Sequence, residues 1–302
     1  MSVVVVAPGQ GSQTPGFLEP WLAEPRFADH LGALADAAGV DLVTHGSVSD
    51  ADTIRDTAVA QPLIVAASLL AFGALAEKRD RLAGVAGHSV GEFAAAAASG
   101  ILSDADAMRL VAVRGAAMAE AATAVATGMS AVIGGDEAAL LEQLAALGLS
   151  PANYNGGGQL VVAGDLAALQ QLAENPPAGA RVIPLQVAGA FHTSYMEPAV
   201  ARLREEAATV TAADPATTIW TNKDGSTVSS GAEFLDLLVG QVANPVRWDL
   251  CMASFEKAGV TGLVELAPAG ALVGLAKRGL KGLPTVAVKT PDDIPAALEL
   301  IG

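Results

Sequence analysis

The sequence predicts an α/β protein built around a mostly parallel sheet. Short apolar runs, often β-branched, alternate with longer segments of helical periodicity, which is typical of βαβ units. The chain has 302 residues, of which 52% are hydrophobic and 16% charged. That is enough apolar material for one large domain or two smaller ones.

The strands of this sheet are expected near both ends of the chain, with helices between them. A helix is predicted from Gly91, and another over 103–120, where Ser103 and Asp106 have capping-box spacing. The charge-free segment 58–76 approaches the length of a membrane span. Because Gln61 and Pro62 interrupt it and alanine dominates, we expect a helix buried in the core. The predicted strands are 3–6, 84–86, 218–221, 262–265 and 285–288.

The middle of the chain predicts a second, smaller unit. Strand-like and helical patterns alternate at short intervals there, which favours a ferredoxin-like insert. We therefore expect a large domain from 1–127 and 189–302, and a small one from 128–188. The predicted strands of the small unit are 129–133, 152–155, 159–163 and 181–187, and its helices are 136–147 and 166–173.

Charge and cysteine usage limit the classes of function. A net charge of −15 argues against binding nucleic acid or anionic membranes. The amino terminus has no basic n-region, so no signal peptide is expected. The single cysteine, Cys251, excludes an intrachain disulfide and favours a reducing, cytoplasmic location. We expect it to be a small buried apolar residue.

The segment Gly87-His88-Ser89-Val90-Gly91 has the pattern of a nucleophile elbow. An apolar run precedes it and an alanine-rich helical pattern follows, so the serine would stand at a strand-to-helix turn. The helix N-terminus favours developing negative charge there. The pentapeptide alone is a weak signal, because small residues recur in any chain rich in glycine and alanine.

A serine nucleophile needs a base, and His192 is the best candidate. It follows a predicted strand in the loop VAGAFHTSYMEP, a position suited to function. His88 adjoins the serine, but neighbouring side chains diverge in a tight turn, so a supporting role is expected. His30 and His45 lie in polar surroundings and are interpreted as surface residues.

Arg114 points to an anionic substrate. It continues the apolar stripe of its predicted helix, and none of its neighbours three or four positions away is acidic. A guanidinium on an inward face needs an anion. Two readings stay open: an ion pair with a distant Asp or Glu, and bidentate capture of a substrate carboxylate.

The glycine-rich loop APGQGSQTPGF after the first strand is not a phosphate-binding motif. Thr14 occupies the third glycine position of G-x-G-x-x-G, and no G-K-[ST] follows. A glycine-rich turn at the carboxyl edge of a sheet can instead supply a backbone N–H to an oxyanion.

Seven motifs occur in order over nearly the whole chain. They are PGQGSQ (8–13), GHSVGE (87–92), VRG (113–115), NYNGGGQLVVAG (153–164), GAFH (189–192), QVANPVRW (241–248) and ELAPAGALVGLAKR (265–278). Together they resemble those of malonyl-CoA:acyl carrier protein transacylases, most of all the discrete enzymes of actinobacterial fatty-acid and polyketide synthesis. The resemblance implies a large α/β-hydrolase-like, patatin-like domain with a small ferredoxin-like subdomain.

The resemblance also implies residue roles. Ser89 would be the nucleophile and His192 the general base, then acid, oriented by the main-chain carbonyl of Gln241. Backbone N–H groups of Gln10 and Val90 would form the oxyanion hole. The remaining implied site residues are Arg114 for the malonyl carboxylate, and His88, Asn155 and Phe191 in the substrate pocket.

The implied reaction is ping-pong transfer of malonyl from malonyl-CoA to carrier protein, by a monomer without metal or cofactor. Phe191 matches the malonyl-selective "AFH" pattern, and its ring would crowd an α-methyl group. Carrier proteins are acidic, so docking would need a basic patch; Lys277, Arg278 and Lys281 are the densest cluster, although a solvated helix end is an equal alternative.

Two rival functions share part of this pattern. A patatin-like or esterase-type serine hydrolase would have the same elbow and histidine but would have no use for a buried Arg114. An inactive docking partner in a synthase complex would bind carrier protein without chemistry. It is disfavoured because Ser89, His192, Arg114 and Gln10 are all intact.

Overall fold

Two sheets organise the chain in the computed structural model, which describes residues 2–302. The first sheet has four parallel strands in the order β2-β1-β8-β9, as the alternating pattern predicts. The second has five strands in the order β6-β3-β5-β4-β7. The strands are β1 Val3–Ala7, β2 Leu82–Gly87, β3 Thr127–Gly134, β4 Ser150–Gly156, β5 Gln159–Asp165, β6 Ala180–Pro184, β7 Val246–Arg247, β8 Gly262–Glu265 and β9 Thr285–Ala287.

Helices cover both faces of the parallel sheet. Alternate residues of β1 show this, since Val3 and Val5 pack into one apolar cluster and Val4 and Val6 into another. Such a strand is apolar throughout because both of its faces are buried. The helices are α1 Glu19–Leu22, α2 Pro25–Ala38, α3 Leu42–Ser47, α4 Thr57–Gly73, α5 Gly91–Ser99, α6 Asp104–Ala124, α7 Glu137–Leu147, α8 Leu166–Glu174, α9 Glu197–Ala207, α10 Gly231–Gln241, α11 Trp248–Lys257, α12 Ala271–Gly279 and α13 Ile294–Ile301.

The charge-free segment forms α4 and is buried along almost its whole length, as predicted. No helix among residues 2–302 is long and apolar enough to cross a membrane. The predicted cap of α6 is also present: the Ser103 hydroxyl accepts a hydrogen bond from the backbone N–H of Asp106 at 3.0 Å. The Asp106 carboxylate then accepts from that hydroxyl instead of from the Ser103 backbone.

The second sheet separates a small apolar cluster from the interior of the molecule. Strands β6, β3, β5 and β4 are antiparallel neighbours, and β7 pairs parallel to β4. Val132 and Val162 pack against α7 and α8 on one face. Met129 and Ala131, at alternate positions of β3, face a cavity on the other side.

Two predicted strands differ in extent from the structure. Residues 218–221 form only isolated bridges, through Ile219 and Trp220, because the chain turns back when the Thr221 N–H bonds to the Ser226 carbonyl. The strand predicted over 181–187 ends at Pro184. Beyond it the Val187 N–H bonds to the Leu185 carbonyl at 3.1 Å, which turns the chain away from the sheet.

Candidate active site

A cavity of about 470 Å³ lies where the carboxyl ends of β1 and β2 meet the second sheet. Ligands of open α/β sheets bind at this edge because the loops that follow the strands converge there. Several of the residues predicted from sequence line it together: Gln10, His88, Ser89, Val90, Arg114, Asn155, Phe191, His192 and Arg278.

The turn between β2 and α5 holds Ser89 in a left-handed conformation, with φ of 52°. A Cβ on Gly87 would lie 2.0 Å from the backbone of Gly91, and one on Gly91 would lie 2.2 Å from the Ala7 carbonyl oxygen. Only glycine fits at either position, which is the physical basis of the G-x-S-x-G pattern. The Ser89 N–H donates to Oδ1 of Asn222 at 2.7 Å, which secures the strained residue.

His192 lies next to the serine although 103 residues separate them in sequence. Its Nε2 is 2.7 Å from Ser89 Oγ, and its Nδ1 is 2.9 Å from the main-chain oxygen of Gln241. Because a carbonyl only accepts, Nδ1 carries the proton and Nε2 is free to accept from the serine hydroxyl. Burial, reinforced by the charge of Arg114, lowers the pKa of His192 to about 3. The ring is therefore a neutral acceptor at physiological pH.

The backbone N–H groups of Gln10 and Val90 are candidates for binding an anion beside the serine. Val90 directly precedes α5, and Gln10 follows β1; both residues line the cavity. Neither N–H donates to another group in the part of the chain that the structure describes. Unpaired donors at a helix N-terminus favour a developing oxyanion.

Arg114 is 1% exposed, and neutral groups hold its guanidinium. Nη1 donates to Oε1 of Gln61 at 2.6 Å, and Nη2 donates to Oε1 of Gln241 at 2.9 Å. Nη2 also lies 3.3 Å from Ser89 Oγ. Nε has no partner among residues 2–302, and none of the ion pairs there includes this residue. Burial lowers the pKa of Arg114 to about 10, so it stays charged and open to an anion from the cavity.

The pocket residues predicted beside the serine also occupy the cavity wall. The Nε2 of His88 lies 2.8 Å from Oδ1 of Asn155 on β4. This contact joins the elbow to the second sheet. Burial lowers the pKa of His88. Phe191, 6% exposed, lines the cavity directly before His192.

The predicted basic cluster is divided between two surfaces. Arg278 lines the cavity, and the exposed Lys277 precedes it at the end of α12. Lys281, also exposed, lines a separate groove with Phe255 and Pro284. Of the three residues, the structure therefore places only Arg278 at the cavity.

His30 and His45 lie away from the cavity, and Cys251 is a buried residue next to Asn222. His30 is 3.1 Å from a carboxylate oxygen of Asp104, and His45 is 3.0 Å from the Ser49 hydroxyl; both rings are partly exposed. Cys251 is buried, its Sγ lies 3.3 Å from the Thr221 carbonyl, and burial raises its pKa well above the ordinary value. Among the described residues no group of three or more His, Cys, Asp or Glu side chains could hold a metal ion.

Comparison with known proteins agrees with this geometry. Residues 4–294 match the model of the acyl transferase domain family. The chain belongs to this family. It is 53% identical over 296 residues to the malonyl CoA-acyl carrier protein transacylase of Mycobacterium tuberculosis, covering 97% of this chain and 98% of the relative. The Escherichia coli K12 transacylase is 36% identical over 303 residues and 98% of each chain.

Solved structures of acyl transferases have the same fold. The crystal structure of MCAT from Mycobacterium tuberculosis superposes with a TM-score of 0.95 at 50% identity, covering 99% of this chain and 100% of that one. A malonyl-transacylase in complex with a type II PKS acyl-carrier protein superposes with a TM-score of 0.93 at 30% identity over 99% and 100% of the chains. The resemblance found in the motifs is thus confirmed.

Three residues of this acyl transferase site were not identified as functional from the sequence: Gln61, Glu92 and Asn222. Gln61 holds Arg114, and Asn222 holds Ser89 and also donates to the Gly87 carbonyl at 2.7 Å. Gln61 has the only amide side chain in the charge-free helix α4, and Glu92 is an acidic residue directly after the elbow. Both are unusual in a buried segment, and this signal could have drawn attention to them.

Proposed function

We propose that this acyl transferase moves the malonyl group from malonyl-CoA to the phosphopantetheine thiol of acyl carrier protein through a malonyl-Ser89 intermediate. Relatives that share about half of its residues over nearly the full length are named malonyl CoA-acyl carrier protein transacylases. One observation carries the choice of substrate: the charged Arg114, which forms no ion pair among residues 2–302, lies 3.3 Å from the serine oxygen. A short acyl group on that oxygen brings its own carboxylate to the guanidinium.

The first half-reaction acylates the serine. Ser89 Oγ attacks the thioester carbonyl carbon while His192 Nε2 takes the hydroxyl proton. The negative charge that develops on the carbonyl oxygen is stabilised by the N–H groups of Gln10 and Val90. The carbon–sulfur bond then breaks, and the departing CoA sulfur receives the proton from His192.

The second half-reaction uses the same groups in the opposite sense. The pantetheine thiol of the carrier protein loses its proton to His192 Nε2, and its sulfur attacks the ester carbonyl of malonyl-Ser89. The ester bond breaks, and Ser89 Oγ regains the proton. Throughout both halves the Gln241 carbonyl keeps the Nδ1–H of His192 in place, so Nε2 always faces the reacting atoms.

Arg114 contributes orientation. Binding energy at the carboxylate, remote from the scissile bond, places the carbonyl carbon over Ser89 Oγ. Donor and product are both thioesters of nearly equal energy, so the reaction needs neither ATP nor a cofactor. We also expect the protein to be a cytoplasmic monomer. Phe191 beside the acyl group should give a preference for malonyl over methylmalonyl.

The partner is expected to dock where Arg278 lines the cavity, with Lys277 next to it in sequence and Lys281 in the separate groove. The chain has a net charge of −15 and would repel an acidic carrier protein overall. Local positive charge, here from Lys277, Arg278 and Lys281, would be needed to attract it. The complex formed by the similar malonyl-transacylase with its polyketide-synthase carrier protein supports a carrier protein as the partner class.

The finer architecture is also part of this proposal. The parallel sheet with its elbow supports an α/β-hydrolase-like, patatin-like domain over 1–127 and 189–302. The order β6-β3-β5-β4 with two helices on one face supports a ferredoxin-like subdomain over 128–188. Strand β7, which belongs to the range 189–302 of the large domain, adds one strand to the sheet of the subdomain.

Intact-mass measurement after brief incubation with malonyl-CoA separates the candidate functions. Transfer predicts a malonyl adduct on Ser89 that persists until carrier protein bearing phosphopantetheine is added. A serine hydrolase would release free malonate without carrier protein, and an inactive docking module would form no adduct. The Ser89→Ala variant is the control for the adduct site.

A further inference from the structure

A buried carboxyl group lies next to the site but outside the cavity. Glu92 stands in the first turn of α5, 1% exposed, and does not line the cavity. None of the ion pairs of residues 2–302 includes it. A carboxyl in such surroundings is costly unless its oxygens are fully paired.

Both oxygens of Glu92 accept from fixed donors. Oε1 accepts from the backbone N–H of Asn222 at 2.7 Å, and Oε2 accepts from Nε2 of Gln241. In both contacts a carboxyl oxygen is the acceptor. Burial raises the pKa of Glu92 to about 8, against the opposing effect of these donors and of Arg114.

The side-chain amide of Gln241 consequently lies between the carboxyl group of Glu92 and the guanidinium of Arg114. Its Nε2 end faces Glu92 and also donates to the Ser89 carbonyl at 3.1 Å, while its Oε1 end accepts from Arg114 Nη2 at 2.9 Å. The two ends of an amide have opposite hydrogen-bonding roles. A reversed amide would set NH₂ against the guanidinium and oxygen against the Ser89 carbonyl. The acceptor at Glu92 therefore adds to the contacts with Arg114 and Ser89 that fix the orientation of this amide.

We propose that Glu92 is a positioning residue for substrate selection: by orienting the Gln241 amide, it holds the Arg114 guanidinium where it meets the carboxylate of the acyl group. The inference rests on the proposed malonyl transfer. Glu92 touches neither the substrate nor the reacting atoms, so its effect is on which acyl group is accepted.

Glu92→Gln isolates this link. The side-chain oxygen of the introduced amide still accepts from the Asn222 N–H, so the support of the elbow remains. The introduced NH₂ faces the NH₂ of Gln241, and the Gln241 amide loses its orientation. The ratio of kcat/KM for Ser89 acylation by malonyl-CoA over acetyl-CoA is expected to fall about 10- to 100-fold, the effect of a small misplacement of a positioning group. The acetyl-CoA value should change little.

Glu265→Gln is the matched control. Glu265 is 0% exposed, and its carboxylate accepts only backbone N–H groups, those of Gly270, Leu272 and Val273 at the start of α12. The same substitution there should lower Tm and leave the malonyl-over-acetyl ratio unchanged. The loss of a buried carboxyl group by itself is thus separated from the loss of the link to Arg114.

A second variant tests the same link independently of how well Glu92→Gln folds. Gln241→Met removes the amide and keeps the main-chain carbonyl on His192, so it should lower the ratio to a similar extent. In an Arg114→Ala background, Glu92→Gln should have no further effect on the ratio, because the two changes act through one interaction.

Two results would overturn the proposal. The first is an unchanged malonyl-over-acetyl ratio in folded Glu92→Gln or Gln241→Met, whether both kcat/KM values stay the same or fall equally. The second is a full additional loss in the Arg114→Ala background. If the wild-type protein forms no malonyl adduct, the proposed function fails and the inference with it. A wild type that malonylates normally beside a Glu92→Gln variant of unchanged selectivity refutes the positioning role alone.

Discussion

His192 should keep its Nε2 free at a pH where most histidines are protonated. Transfer into the buried site disfavours the imidazolium, and the neighbouring charge of Arg114 disfavours it further, which lowers the pKa to about 3. The hydrogen bond to the Gln241 carbonyl acts in the opposite direction and does not outweigh them. Acidification is therefore expected to leave the serine–histidine pair competent down to about pH 4.

The size of the effect follows from the two pKa values. A histidine with the ordinary pKa of about 6.5 would be roughly 90% neutral at pH 7.5 and about 3% neutral at pH 5, a ~30-fold loss of free base. With a pKa of about 3, the ring is ~99% neutral at pH 5. The rate of serine acylation that depends only on this base should then change less than about twofold over the same range.

A sulfonyl fluoride measures this base without requiring carboxylate recognition. The rate constant for modification of Ser89 by phenylmethanesulfonyl fluoride would be followed by intact mass from pH 4.5 to 8, with reagent hydrolysis measured alongside and Ser89→Ala as the blank. A ~30-fold decline with a midpoint near pH 6.5 would refute the reasoning. In Arg114→Ala the midpoint should move upward but stay below the ordinary value, because burial is the larger cause.

Three further outcomes test the other parts of the site. Arg114→Ala should reduce kcat/KM for malonyl-CoA about 100-fold and leave acetyl-CoA nearly unaffected, since removing one partner of a buried charged contact costs roughly 2–5 kcal/mol; equal losses would contradict the assigned contact. Phe191→Ser should lower the malonyl-over-methylmalonyl rate ratio about tenfold, because one methyl group is worth ~1–3 kcal/mol in such a pocket; an unchanged ratio would exclude the steric explanation. Charge reversal at Lys277 and Arg278 should raise KM for carrier protein about three- to tenfold and spare acylation by malonyl-CoA, whereas Lys281→Glu, in a separate groove, should have a smaller effect. Equal changes in both half-reactions would argue against docking there.

Local patterns were sufficient for most of the fold. Residues close together in sequence are enough to predict the strand at 3–6, the helix cap at Ser103 and the buried helix α4. The two-residue strand β7, Val246–Arg247, has no such signal. It exists because β4 offers an edge to pair with, and that edge is formed by residues about ninety positions earlier in the chain.

The candidate site divides in the same way. The elbow can be recognised from sequence because a side chain at either of its glycines would clash with nearby backbone. The role of Asn222 depends on contacts with Ser89 and Gly87, more than 130 positions away in sequence. The pattern around Arg114 could show an inward-facing cation, but it left open whether an acid or a ligand would meet it. Only the tertiary contacts reveal that two neutral amides hold it.

Those amides explain how the site can be both stable and selective. At an effective dielectric constant of about 20, unit charges 4 Å apart attract by roughly 4 kcal/mol, so a permanent acid bonded to Arg114 would compete directly with a substrate carboxylate. Gln61 and Gln241 satisfy two guanidinium donors without cancelling the charge, and Nε stays unpaired among the described residues. Glu92 acts one hydrogen bond further back, where it fixes the amide without occupying the place of the ligand. In the proposed function, an acyl group with a carboxylate therefore gains an interaction that water and neutral acyl groups cannot supply, and we propose this difference as the physical source of a selectivity for malonyl.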